Sequence, residues 1–288
     1  MTDLLTEKKP THISFSELNT YTQCGWKHKV YYKDKAIPFE GSIFTEFGKA
    51  VHSAIEDFHT PGEDEKKPVE FFTKELVRLF SQLPDDKFAG PKKSSGAPET
   101  PEQLGKNRET TLQTFTDQGK GILEEYFPAM QNSFGNYEVV SVEERLYENF
   151  DAEENRNFKG FIDMVIKLED GTYCILDTKT TSWGWDARKK TDKMTTYQLT
   201  YYKNFFSEKH KIPLDNIRTF FILLKRTVKK DRVEIVEVPC GKIKIKNSLE
   251  LLRETSMNIE RNITLKNRRS CEPEGGFACP LLRTKWCK

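Results

Sequence analysis

The chain has 288 residues, with 46 Lys and Arg against 44 Asp and Glu, a formal net charge of +2 and 31% charged residues. That length holds a sizeable core, and no apolar run approaches the length needed to span a bilayer, so no transmembrane helix is expected. Near-balanced charge does not itself mark a nucleic-acid binder. A basic groove has to come from local clusters such as Lys189-Lys190 to Lys193 or Lys225-Arg226 to Lys229-Lys230, and such runs are more often plain solvated surface.

The N-terminus, Met1-Thr-Asp-Leu-Leu-Thr-Glu-Lys-Lys9, is too polar for a signal peptide, so a cytoplasmic, intracellular protein is expected. Ser14-Phe-Ser-Glu17 fits a capping box and opens a helix running toward Cys24. Apolar periodicity predicts helices over 44–58 and about 69–83. Residues 84–106, rich in Pro, Lys, Ser and Gly, read as a flexible loop. A helix over 109–130 is followed by strands at 137–145, 158–167 and 172–177, a helix over 194–209, and strands at 218–225 and 232–238 that form a hairpin. A last helix over about 245–263 precedes a cysteine-bearing tail. No internal repeat is present. This order predicts an α/β or α+β core with an N-terminal helical part. Its expected divisions are 1–132, 133–245 and 246–288, integrated into one domain.

The chemistry concentrates in the second and third strands. Asp170-Gly171 is a strong hairpin turn signal between Gly160-Phe-Ile-Asp163 and Ile175-Leu-Asp177-Thr-Lys179. Side chains on a strand repeat every two residues, so Asp177 and Lys179 share a face, and the hairpin can bring Asp163 beside them. Two carboxylates among Ile, Val, Leu and Phe cost free energy unless compensated, and a divalent cation is the natural compensation.

This arrangement resembles the PD-(D/E)XK nuclease superfamily. Three further stretches resemble its RecB-like branch, to which certain CRISPR-associated and phage exonucleases belong. They are Phe47-Gly48-Lys-Ala-Val-His52, Gln198-Leu-Thr-Tyr201-Tyr202, and Ser14-Phe-Ser16-Glu-Leu18-Asn-Thr-Tyr21-Thr-Gln-Cys24. The ordered set spans roughly residues 13–205 and is far more specific than a lone Asp-x-Lys.

The resemblance implies a restriction-endonuclease-like fold, with a central mixed sheet flanked by helices. It also implies catalytic roles for Asp163, Asp177 and Lys179. The metal would be Mg²⁺ or Mn²⁺, held by Asp163, Asp177, the Thr178 carbonyl and His52, whose imidazole favours Mn²⁺. Gln198 and Tyr202, four apart on one helical face, would line the DNA path. Glu143 would sit near the cleft. Taken singly, His52 reads as a packed histidine and Gln198 as a surface amide. His59 reads as a surface residue. Tyr197, Tyr201 and Tyr202 read as core or as base-stacking groups. Trp183 and Trp185 read as loop packing or as stacking groups for single strands.

Six cysteines are present. Cys174 and Cys240 lie in apolar strand-like contexts and read as packing. Cys24, Cys271, Cys279 and Cys287 resemble the four-cysteine iron–sulfur arrangement of many RecB-like nucleases. Seven residues separate each consecutive C-terminal pair, wider than the spacing often seen there. A [4Fe–4S] cluster, a Cys₄ zinc site and unligated thiols all remain open.

The expected function is a metal-dependent deoxyribonuclease. Resemblance favours an exonuclease on single strands or duplex ends, in recombination, repair or phage DNA metabolism. The alternatives are a non-catalytic DNA-binding module and a nuclease subunit of a larger recombination or CRISPR adaptation complex. No Gly-x-x-x-x-Gly-Lys-Ser/Thr loop is present, so a helicase partner would be a separate chain.

Overall fold

The computed structural model describes residues 10–38, 40–60, 67–88, 100–272 and 278–287. The chain opens with strand β1 (Thr11–Ser14), followed by α1 (Phe15–Gln23), α2 (Gly25–His28) and a π-helical turn, Lys29–Lys33. Helices α3 (Ile43–His59), α4 (Pro68–Ser81) and α5 (Pro101–Phe134) come next. They lead into strands β2 (Tyr137–Asp151), β3 (Arg156–Leu168) and β4 (Tyr173–Thr181). Helices α6 (Ala187–Thr191) and α7 (Lys193–His210) precede β5 (Ile217–Lys225), β6 (Val233–Glu237) and α8 (Lys242–Glu260).

Local signals set most of these boundaries. Ser42 and Thr45 form a reciprocal capping box at the start of α3, as Thr100 and Gln103 do for α5. The predicted loop over 84–106 is therefore corrected at its C-terminal end. Pro101 stands at the first position of a 34-residue helix, where its missing N–H costs nothing. A short 3₁₀ turn occupies Asp85–Phe88, and residues 89–99 lie outside the described residues. The box predicted at Ser14 is half formed. Ser14 Oγ accepts from the Glu17 N–H, while the Glu17 carboxylate pairs with His28. The Asp170-Gly171 turn is present: the Asp170 side chain accepts from Thr172 N–H, and Gly171 has φ +85°.

The six strands form one mixed sheet in which β3 is central. One edge of β3 pairs antiparallel with β2 along almost its whole length. The other edge is shared. The short β1 runs parallel to it at Arg156–Lys159, and β4 runs antiparallel at Met164–Lys167. Among the described residues, 160–163 have no ladder partner on that edge. There β4 diverges from β3 to continue parallel to β5, which it reaches through α7. β6 closes the far side antiparallel to β5.

Each sheet face is covered. Met164, Ile166, Leu176, Ile222 and Leu224 pack under α3, α4 and α5. Val165, Ile175, Phe221 and Leu223 pack under α7 and α8. Because both faces are buried, β5 reads as the unbroken apolar run Phe220-Phe221-Ile222-Leu223-Leu224 rather than as an alternation.

Candidate active site

The fork between β3 and β4 builds the site. The last ladder pair is Met164 with Leu176, which sets Asp163 opposite Asp177 where the strands part. The Asp163 carboxylate bridges the opening, accepting from the Thr178 N–H at 2.7 Å. Asp177 is 1% exposed, and Lys179, two residues on, places Nζ 2.5 Å from Asp177 Oδ2. From α7, Gln198 Nε2 donates to Asp177 Oδ1 at 2.9 Å and to the Tyr202 hydroxyl at 3.0 Å.

Helix α3 supplies the third side. A Cβ on Gly48 would stand 3.0 Å from Thr180 Oγ1, so the bare glycine lets the helix lie close against β4. One turn later His52 Nδ1 comes within 3.6 Å of Asp163 Oδ2. The structure thus brings Asp163, Asp177, Lys179, His52, Thr178, Gln198 and Tyr202 together.

Burial dominates the electrostatics. It pushes Asp163 above the usual carboxylate range against the pull of Lys179 and the Thr178 N–H. It pushes Asp177 up to about 6, again against Lys179. His52 is held at about 4 by burial and by the Lys179 ammonium, against Asp177 and a backbone hydrogen bond to Thr178, so the imidazole is neutral at pH 7. Lys179 is raised, because the two carboxylates outweigh its own burial. Asp177 Oδ2 is paired with that ammonium, the one donor to it among the described residues.

A metal ion can be judged against these groups. Two buried carboxylates and a neutral imidazole are the donor types that a divalent cation takes, and they fit it in kind. As the side chains stand, no group of three or more His, Cys, Asp or Glu among the described residues is arranged to hold a metal ion. Lys179 balances the charge of Asp177 instead.

A cleft of about 1050 Å³ opens beside the acids, with His52, Glu56, Glu143 and Thr180 in its lining. Glu143 has a left-handed backbone, φ 49°, opposite Asp163 in the β2–β3 register. Glu56 escaped the sequence reading. It lies one turn after His52, and burial together with Asp163 raises its carboxyl. The only sequence signal was its i+4 spacing from His52.

Of the aromatic candidates, Tyr197 and Tyr201 are core, at 1% and 0% exposure. Trp185 packs edge-on to Phe221, whereas Trp183 is 76% exposed. His59 is corrected from a surface residue to a half-buried one packed against Tyr126 and Phe127, because α3 carries it onto α5.

The N- and C-terminal cysteines also meet. Cys24 ends α1, and its Sγ accepts from the Asn267 N–H at 3.4 Å. Trp26 Nε1 donates to the Trp286 carbonyl at 2.7 Å, and Cys279 N–H donates to the Cys271 carbonyl at 2.7 Å. Burial raises the Cys271 thiol, with further contributions from Cys279, Cys287 and Cys24. All four thiols are free, and among the described residues they are not arranged as a metal-holding group. Cys174 and Cys240 are buried packing residues.

The sequence profile of the PD-(D/E)XK nuclease superfamily matches residues 12–281. No curated protein matches. Among solved structures, one titled "Putative exonuclease" from Eubacterium rectale superposes with a TM-score of 0.52 at 14% identity, over 91% of this chain and 86% of that one, a likeness of fold. A second, SSO0001, has a TM-score of 0.32 at 13% identity, over 84% and 87% of the two chains, and carries no argument.

Proposed function

From membership of the PD-(D/E)XK nuclease superfamily, to which this chain belongs, we infer a metal-dependent deoxyribonuclease whose centre is Asp163, Asp177 and Lys179. The observation that carries this reading is Asp177. Its carboxylate is buried at the strand fork beside a second acid, with the Lys179 ammonium 2.5 Å from Oδ2. A structural acid would be costly in that setting.

Mg²⁺ or Mn²⁺, held by Asp163, Asp177, His52 and the Thr178 carbonyl, would supply Lewis acidity toward the phosphate and the attacking water. The rest belongs to the chain. Lys179 offsets negative charge growing on the phosphate and orients the water. Gln198 holds Asp177, and Tyr202 holds Gln198, so these two residues position the acid as well as border the strand path. Neutral His52 keeps a lone pair free for ligation.

The finer reading is a RecB-like exonuclease of recombination, repair or phage DNA metabolism, acting on single strands or duplex ends. It is supported by His52 and the Gln198/Tyr202 pair converging on the acids. A separate helicase or adaptation partner is compatible with it. No helix among the described residues is long and apolar enough to cross a membrane, and a cytoplasmic site of action is part of this reading. For Cys24, Cys271, Cys279 and Cys287, the electrostatic contact of Cys271 with the other three thiols supports a [4Fe–4S] cluster, with zinc as the alternative.

The test is to incubate the protein with end-labelled linear and with circular single-stranded DNA, in Mg²⁺ and in Mn²⁺. Loss of linear DNA from its ends with the circle spared is expected. Equal cutting of the circle refutes the exonuclease reading, and no cleavage of either refutes the nuclease.

A further inference from the structure

The cationic groups lining the cleft are not equivalent. Lys49 is neutralised by Glu46 at 2.8 and 3.0 Å, and Arg78 is clamped through Nε and Nη2 by Glu75. Arg226 lines the same cleft, and no carboxylate among the described residues pairs with it. Its nitrogens donate to neutral acceptors, Gln118 Oε1 at 3.0 Å and Ser182 Oγ at 3.4 Å. Its guanidinium lies 4.6 Å over the Phe115 ring and 5.0 Å over Phe44. Burial holds the guanidinium below its ordinary range with nothing anionic to offset it. Such a cation is held by neutral groups alone, and a planar guanidinium fork suits phosphate.

Its neighbour supplies a second recognition element. Phe44 stands in the first turn of α3, 57% exposed and lining the cleft. An aromatic face beside an unpaired cation is how sequence-tolerant sites hold single strands: the ring stacks a base and the cation takes the backbone.

The backbone fixes this pair relative to the acids. Arg226 N–H donates to the Thr181 carbonyl at 2.8 Å and Thr227 N–H to Ser182 at 2.9 Å, at the end of the strand that carries Asp177 and Lys179. Lys179 is registered with Leu223, three residues before Arg226, which is about 10 Å along the sheet.

We propose that Arg226 and Phe44 form a binding station for single-stranded DNA, in which the guanidinium holds a phosphate beyond the scissile one and Phe44 stacks the adjoining base. The proposal rests on the nuclease reading and deepens it by naming how the strand is held.

The test separates binding from cleavage. Anisotropy of a fluorescein-labelled oligothymidylate is measured without divalent metal, over a salt series, for wild type, Arg226→Gln, Arg226→Lys and Phe44→Ala. Arg226→Gln should bind about 10-fold more weakly and lose about 0.7 from the log–log salt slope, one phosphate contact on a single strand. Arg226→Lys should keep that slope. Phe44→Ala should weaken binding about 10-fold and match wild type on an oligonucleotide with abasic sites. Wild-type affinity and slope in Arg226→Gln, or no binding by the wild type, overturns the station. These binding losses together with no cleavage by the wild type overturn the nuclease reading alone. If Arg226→Gln fails to fold by circular dichroism, the Phe44→Ala and abasic comparison decides, because Phe44 is largely exposed.

Discussion

Gln198→Met tests the wiring of the site more finely than removal of an acid. Methionine keeps most of the glutamine volume and deletes the amide that bridges Asp177 Oδ1 and the Tyr202 hydroxyl. A hydrogen bond to a charged acceptor contributes about 1.5–3 kcal/mol and a neutral one about 0.5–1.5, so the loss should be about 2–4 kcal/mol. With a urea m-value of about 3 kcal/mol/M for a chain of this size, the midpoint should fall by about 1 M. Asp177 would also be free to turn. Removal of a group that orients a metal ligand lowers metal affinity or turnover about 10–100-fold. Tyr202→Phe removes the acceptor alone and should cost less on both measures. The assays are urea unfolding of metal-free protein and Mn²⁺ titration of cleavage. An unchanged midpoint together with unchanged metal dependence would refute the positioning role. A higher KM for DNA with metal affinity intact would return Gln198 to a simple substrate contact.

Other perturbations probe the remaining contacts. Gly48→Val should push α3 from Thr180 and cut activity by displacing His52; activity equal to wild type would show that the close approach is dispensable. His52→Ala should weaken Mn²⁺ dependence more than it weakens stability, read by metal titration beside thermal unfolding; unchanged metal affinity would make it a packing residue. Glu144 accepts from Ser141, Lys209 and His210, and these bonds hold its pKa below the usual range although burial alone would raise it. Its stabilisation is therefore present above about pH 4.3 and lost as pH falls through the lower folded value. Glu144→Gln should be destabilised at pH 7, with the gap to wild type closing in acid; a gap that stays constant with pH would refute this. Anaerobically purified protein should contain iron and sulfide in equal proportion, lost in Cys271→Ser. One zinc per chain would instead support the Cys₄ site, and neither metal would sink both.

The parts of the fold that were legible are those set by local chemistry. Asp170-Gly171 fixed the hairpin register, and the two-residue repeat fixed Asp177 and Lys179 on one face. The four-residue repeat aligned Gln198 with Tyr202. Nonlocal features were not readable. Thr11–Ser14 is too short for any period and becomes a strand only because β4 leaves an edge of β3 open. Pro101 read as part of a loop because proline both breaks and starts helices. β2 continues to Asp151, past the expected end at Arg145, because its pairing with β3 runs on to Arg156. Nothing near Arg226 in sequence reveals that Glu46 and Glu75 are spent on other cations, so its unpaired charge appears only in three dimensions.

The most direct test of the central claim is single-turnover cleavage of end-labelled single-stranded DNA by Asp177→Ala beside wild type, with Mg²⁺ and Mn²⁺ and with far-UV circular dichroism of both. Cleavage by the wild type and none by a folded Asp177→Ala is the expected result. A folded Asp177→Ala that cuts at the wild-type rate would contradict the assignment of the strand fork as the catalytic centre.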